Sequence, residues 1–502
     1  MDEARRGELR TIGDLRRSGY PNRSVKDEMR ANLIARLESR APIFPGIVGF
    51  DETVIPQLVH AILGRHDFIL LGLRGQAKTR LIRMLPTLLD EYVPIIAGSD
   101  LNDHPYAPIS KYGRDLVAAR GESVEIEWLH RSARYGEKLA TPDTSIGDLI
   151  GDIDPIKAAH HRLTFADEDV IHFGIIPRTN RGIFAINELP DLQPRIQVGL
   201  LNIMEEQDIQ IRGFNIRFPL DLLMVFSANP EDYTNRGAII TPLKDRIDSQ
   251  IITHYPRTIE TGIEITRQES WESRGGSVTV HVPPIYREII EQVAFEARAS
   301  EYVDQKSGVS ARLTRAALEN LVSAAERRAV MNRETETTVR PGDLWFVEPA
   351  ITGKVELVYE GEQEGAQAVA RLLVGRAVKT IFAKHFPDPT HKKKRSPYAG
   401  ILQWFASGSA VSLHHDMESK AHGEALKAIP GLADLVRNRI HGVGETEVGS
   451  LSELVLEALH QHSLLGKDTS AGEATFTDMM GSMLSGLGRS QPDEDEPWDP
   501  NS

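Results

Sequence analysis

The stretch His66–Thr79, HDFILLGLRGQAKT, decides the fold. Phe68-Ile69-Leu70-Leu71 is an apolar run of the length of a buried strand. Gly72 breaks the run, and Lys78-Thr79 open a helical pattern with Leu81, Ile82, Leu85 and Leu88 on one face. Pro86 is expected to kink or shorten that helix. The whole is nearly the phosphate loop G-x-x-x-x-G-K-[ST]. In such a loop, backbone N–H groups wrap phosphate oxygens. Gly72, Leu73, Arg74, Gly75, Gln76 and Ala77 would form the wrap, Lys78 would reach the terminal phosphates, and Thr79 would place its hydroxyl on Mg2+. Ala77 stands where the motif has its second glycine, and alanine is comfortable there unless a positive φ is required. The plainer alternative is an ordinary strand, turn and helix with a coincidental Lys-Thr.

Composition bounds the answer. The 502 residues amount to about three domains. A hydrophobic fraction of 40% is ample for real cores. The net charge of −14 argues against a dedicated nucleic-acid binder, which usually needs a basic face. The chain has no cysteine, which excludes disulfides, thiolate zinc sites and cysteine nucleophiles. The first residues, MDEARRGELRTIGDLRR, lack the apolar centre of a signal peptide, and no run reaches the roughly 20 apolar residues of a membrane span. A soluble cytoplasmic protein is the expectation.

Outward from the loop, residues 1–40 read as an amphipathic helical arm with Leu33, Ile34 and Leu37 on one side. Further strands are predicted at Val93–Ala97, Val124–His130, Ile183–Ile186, Leu220–Pro230 and Gln250–Tyr255. A helix is predicted at Val198–Glu206, and Ile209–Phe218 reads as a hairpin turning at Arg212-Gly213. Strands separated by helices imply a mostly parallel sheet covered on both faces. After Pro256 the strand signals fade into helical patterns over 284–330 and 343–386. Pro387, Pro389 and the basic run HKKKR mark a boundary, and 396–480 reads as weakly patterned helix. The acidic stretch from Ser485 has the composition of a disordered tail.

Phosphoryl transfer needs positioning and charge stabilisation. The strand Ile183–Ile186 ends in Asn187-Glu188, where the usual pattern is four apolar residues followed by Asp-Glu. Glu188 fits the base that orients attacking water. Asn187 can accept a hydrogen bond from a Mg2+-bound water but brings no charge. Either the metal is held more weakly, or a nearby carboxylate such as Asp191 compensates. Asn229, ending the next strand in Ser227-Ala228-Asn229-Pro230, could orient the same water, or could be a simple turn residue. Arg246, in TPLKDRID, could complete a neighbouring subunit's site as an arginine finger, or form a surface ion pair. Arg312 opens a later helix and could reach the terminal phosphate, with Arg315 a competitor one turn on. The adjacent pairs His160-His161 and His414-His415 lack the spacing of a helical zinc site.

Taken in order, GLRGQAKT, GIFAINEL, FSANP, LKDRID and SARL resemble AAA+ ATPases. Within that class the chain resembles the magnesium chelatase ATPase subunit and the MoxR group. Ala77 matches the MoxR form of the loop, and IGDLIGDIDPIKAA followed by IIPRTNRGIFAINELPDL is similar to an insert of chelatase subunits. The resemblance covers about residues 40–330. It implies a P-loop αβα sandwich with a parallel five-stranded sheet and an α-helical lid; the helical patterning beyond that, which the resemblance does not cover, adds an extra C-terminal helical region. The divisions would be an arm over 1–40, an ATPase domain over 41–256, a lid and following helices over 257–386, a helical region over 387–484 and a tail over 485–502. It further implies ATP and Mg2+ as cofactors, with Lys78 and Thr79 as Walker A, Asn187 and Glu188 as Walker B, Asn229 as sensor 1, Arg246 as the arginine finger and Arg312 as sensor 2. Ring oligomers, usually hexamers, and a partner carrying a von Willebrand factor A domain are implied too. The expected function is ATP-driven remodelling or metal-loading maturation of a partner complex. The rivals are a nucleotide-binding scaffold with low turnover and a sigma-54-type transcription activator core, although the GAFTGA loop of the latter is missing.

Overall fold

Phe68–Leu71 forms strand β1, and all four residues are buried. In the computed structural model, β1 lies inside a five-stranded parallel sheet. The other strands, in chain order, are β2 (Tyr135–Leu139), β3 (Gly182–Asn187), β4 (Leu222–Ala228) and β5 (Ser249–Ile252). Their spatial order is β5-β1-β4-β3-β2. Leu71 is paired with Ala228 and Ile252, Phe226 with Ile186, and Leu139 with Asn187. The register therefore gathers the carboxyl ends of all five strands on one edge. The structure describes residues 3–153, 168–206, 208–210, 217–230, 238–390, 396–470 and 472–479. The expected turn at Arg212-Gly213, the pair His160-His161, the HKKKR run and the acidic tail lie outside the described residues.

The three central strands read as continuous apolar runs because both of their faces are covered. On one face, α1 (Val25–Glu38) sets Val25, Met29 and Leu33 into a core shared with α2 (Val54–Leu63) and β1. Those three residues recur every four positions, as a buried helical stripe requires. Leu37 is exposed. The helix after the loop, α3 (Lys78–Met84), gives way to a 3-10 turn at Leu85–Leu88, as the position of Pro86 predicts. On the other face, α4 (Pro194–Glu206) packs Ile196, Leu200 and Ile203 against β3 and β4. Asp208–Gln210 and Arg217–Pro219 pair antiparallel, as the two arms of the expected hairpin would.

One strand position differs from the expectation. The predicted strand near Val93 exists as Tyr92–Ile96, but it pairs antiparallel with Ile126–His130 outside the main sheet. That ribbon shares a small core with Leu9 and with Ile12 and Leu15 of the amino-terminal helix Ile12–Arg17. The edge of the main sheet is β2, sequence YGEKL, which only half-buries its residues and so carries no apolar run. Gly136 is required in it, since a Cβ would lie 2.3 Å from Thr179 Oγ1 and 2.9 Å from the Phe184 ring.

The chain divides into two compact units, Met1–Tyr255 and Pro256–Ser502. The second has one apolar core that runs from Ile259 to Phe476. It is built around the helices Pro284–Ala299, Arg312–Met331, Ala366–His385 and Glu445–Gln461. It also holds a three-stranded antiparallel sheet, Val411–His414, Glu473–Thr477 and Gly466–Ser470 in that order, which the weak helical patterning of 396–480 did not announce. A buried ion pair, Arg328–Asp343, and a buried hydrogen bond between His422 and Glu453 sit beside this core. Among the described residues no helix is long and apolar enough to cross a membrane.

Candidate functional site

The loop from Gly72 to Ala77 leaves β1 at the carboxyl edge of the sheet. Gly72 admits no side chain there, since a Cβ would lie 1.9 Å from Thr253 Oγ1 and 2.2 Å from Gln76 Oε1. Those two atoms close the base of the loop, with Thr253 donating to Gln76 at 2.7 Å. The Tyr255 hydroxyl donates to the Arg74 carbonyl at 2.8 Å. Gly75 has φ +75° and Ala77 has φ +57°. Ala77 thus meets the one condition under which alanine is uncomfortable: its backbone is left-handed, where a Cβ costs energy and glycine does not.

Lys78 turns back over this loop and is buried. Its ammonium donates to the carbonyls of Gly72 and Leu73, the latter at 3.0 Å, and to Asn229 Oδ1 at 2.7 Å. Asn229 in turn donates through Nδ2 to Glu188 Oε2 at 3.1 Å. One amide therefore bridges the cation of the loop and the carboxylate at the end of β3. Glu188 has φ +54°, a second left-handed non-glycine residue in the same cluster. Strain of this kind concentrates where a side chain must be aimed.

Asn187, buried at the end of β3, is held from both sides. Ser227 Oγ donates to its Oδ1 at 2.9 Å, and its Nδ2 donates to Glu137 Oε1 at 2.6 Å. Glu137 comes from the neighbouring strand β2, and sequence reasoning missed it. The carboxylate bonded to Asn187 is this one and not Asp191, the candidate nearest in sequence. Burial acts to raise the Glu137 pKa. Hydrogen bonds from Arg83, Tyr135 and Asn187, with the charge of Arg83, outweigh it and hold the carboxyl below its usual range. Arg83 Nε lies 2.8 Å from it and the Tyr135 hydroxyl 3.1 Å. Nothing in the edge strand's sequence signals the residue, because apart from Tyr135 its partners are 54 and 50 positions away.

The seat of β2 is fixed from further off. Arg134, just ahead of the strand, forms a fully buried bidentate pair with Glu28 of α1, both contacts at 2.7 Å. Arg134 also donates to the Arg181 carbonyl at 2.7 Å, and Glu28 accepts the Asp90 N–H at 2.6 Å.

Arg246 ends the short helix Thr241–Arg246, and its guanidinium pairs with Glu205 of α4 and with the Pro242 carbonyl. Arg312 opens its helix in the second unit and is exposed, while Arg315 pairs with Glu319 at 3.1 Å. Thr79 is half-buried in the first turn of α3.

Thr79, Asn187, Glu188 and Glu137 offer hydroxyl, amide and carboxylate oxygens and no soft donors. Such a set, with only one or two carboxylates, suits Mg2+, which keeps several waters and takes its other ligands from phosphates. Among the described residues no group of three or more His, Asp or Glu forms a self-sufficient metal site.

No protein-family model matches the chain. Solved structures that resemble it include a protein of Cytophaga hutchinsonii ATCC 33406 assigned as an ATPase, at 18% identity and TM-score 0.30, covering 72% of this chain and 97% of that one. NtrX of Brucella abortus matches at 15% identity and TM-score 0.35, covering 79% and 70%. A complex of the BchI and BchD subunits of magnesium chelatase matches at 19% identity and TM-score 0.34, covering 68% and 94%. With scores this low the matches carry no argument about the site. The parallel sheet, with β1 between β4 and β5 and a phosphate-type loop after β1, has the arrangement of a P-loop αβα sandwich.

Proposed function

We propose that the chain binds ATP with Mg2+ at the loop Gly72–Thr79 and hydrolyses it. The observation that carries this reading is the bridge from Lys78 through Asn229 to Glu188. It puts a buried cation, a neutral orienting amide and a carboxylate in one hydrogen-bonded line beside a left-handed loop. Backbone N–H groups of the loop would take the phosphate oxygens, and Lys78 would exchange its carbonyl partners for the terminal phosphates. Glu188 would orient a water and accept its proton as the oxygen attacks the terminal phosphorus. Asn229 keeps the cation and the base in register. Bound Mg2+ supplies charge neutralisation of the phosphates, with Thr79 and Asn187 as the residues on its side of the site.

In the same reading the chain works as a MoxR-like or chelatase-subunit-like motor. It would form a ring in which Arg246 leaves Glu205 to serve a neighbour's phosphate, and Arg312 would act from the lid. The turnover would drive remodelling or maturation of a protein complex, with a von Willebrand factor A-type protein as the expected partner. A second reading, a nucleotide-binding scaffold with little turnover, is favoured by the neutral Asn187 in place of an acid.

Two variants test the site. Lys78→Ala should lose measurable ATP binding by calorimetry. Glu188→Gln should keep binding but lose about 100-fold or more in turnover, the usual scale for a general base. Turnover by Glu188→Gln at the parental rate removes Glu188 from the base's role, and parental binding by Lys78→Ala removes the loop. A parent that binds ATP with Mg2+ but releases no phosphate selects the scaffold reading.

A further inference from the structure

A neutral residue holds the metal-side position at the end of β3, and a carboxylate from another strand is bonded to it. We propose that Glu137 is a positioning residue that restores, through Asn187, the negative charge which position 187 does not itself carry. The inference rests on the Mg2+-nucleotide reading above.

Three observations carry it. The Asn187 amide has only one orientation that satisfies both neighbours: Nδ2 must face the Glu137 carboxylate, an acceptor, and Oδ1 must face the Ser227 hydroxyl. The amide oxygen, with two lone pairs, keeps one after accepting from Ser227. An N–H donated to a carboxylate polarises the amide and makes that oxygen a better acceptor for metal-bound water. Second, Glu137 is anchored by more than its partner on α3. The Tyr135 hydroxyl and Asn187 fix it from its own strand and from β3. Third, Arg83 reaches both carboxylate oxygens, at 2.8 and 3.1 Å, but from the mostly exposed side, where solvent screens its charge, so Asn187 meets the carboxylate from the buried side. The arrangement divides the work of one aspartate between two residues: the ligand oxygen on β3 and the charge on β2.

The competing role for Glu137 is purely structural, as the anchor of Arg83 and hence of α3. Binding of a non-hydrolysable ATP analogue to the full chain, by calorimetry in excess Mg2+ and in excess EDTA, separates the two. Glu137→Gln should lower the Mg2+-dependent gain in affinity about tenfold or more, the scale of losses seen when a metal ligand's supporting partner is removed. Its affinity in EDTA should stay within about twofold of the parent's, because the loop and Lys78 are untouched. Glu137→Gln with Asn187→Asp should recover most of the gain, since the charge then sits on the ligand itself. Arg83→Ala should keep the gain. An unchanged gain in Glu137→Gln, an equal loss with and without Mg2+, failure of Asn187→Asp to rescue, or an Arg83→Ala variant that behaves like Glu137→Gln would each overturn the inference. A parent that binds the analogue equally well with and without Mg2+ overturns it while leaving nucleotide binding standing. A parent that binds no nucleotide overturns both.

Discussion

The phosphate-type loop and the edge strand β2 hold their shapes in opposite ways. The loop is local. Gly72, Gly75 and Ala77 set its turns within a few residues, and Thr253 and Gln76 lock its base. The edge strand has almost no local means of support. It has one neighbour in the sheet, and its entry is fixed by the buried pair of Arg134 with Glu28, 106 residues away. Yet each delivers a charged side chain to one polar cluster, Lys78 from the loop and Glu137 from the strand. The lesson is one of degree: the loop sets its own turns and takes only the closure of its base from distant residues, whereas the strand's seat is set almost wholly at a distance.

The sharpest way to break the contrast is at the distant partner. Glu28→Ala would leave Arg134 buried and unpaired, and should destabilise the first unit by about 3–5 kcal/mol. Hydrogen exchange in the full chain should show the β2 amides losing protection while the loop keeps more of its own. A loss under about 1 kcal/mol would mean that sheet pairing alone seats the strand. The next effect is on the loop. Gly72→Val forces side-chain atoms into Thr253 and Gln76, and should cost about 1–3 kcal/mol together with nucleotide binding. If calorimetry finds ATP binding unchanged in that variant, the loop is less tightly determined than its base implies. The smallest effect has the opposite sign. Ala77→Gly should raise stability by about 0.5–1 kcal/mol, because relief of the left-handed strain exceeds the added freedom of the unfolded chain. Urea unfolding measures it, and a loss of stability would show that the alanine methyl packs usefully in spite of its φ.

Much of the fold was legible because buried parallel strands are written as apolar runs. The strands β1, β3 and β4 all come from such runs, and the polar residues that follow them include Lys78, Glu188 and Asn229. The strand at Val93 misled for the same reason, since an apolar run states that a segment is buried but not which sheet buries it. The edge strand YGEKL escaped notice because a half-exposed strand has no apolar signature to read. The sequence offered Asp191, four residues beyond Asn187, as the nearest carboxylate, whereas the one bonded to the Asn187 amide is Glu137 of another strand.

What the sequence determined by itself is the kind of site: a loop that accommodates phosphates, a lysine to meet their charge, and a base and an amide at two strand ends. Each of those features is set by backbone conformation and residue chemistry within a few positions of itself. Only the tertiary structure decided how Asn187 is used. Its amide takes its bearings from Ser227 and Glu137, which are 40 and 50 residues away and meet it only because parallel strands in register place their carboxyl ends side by side.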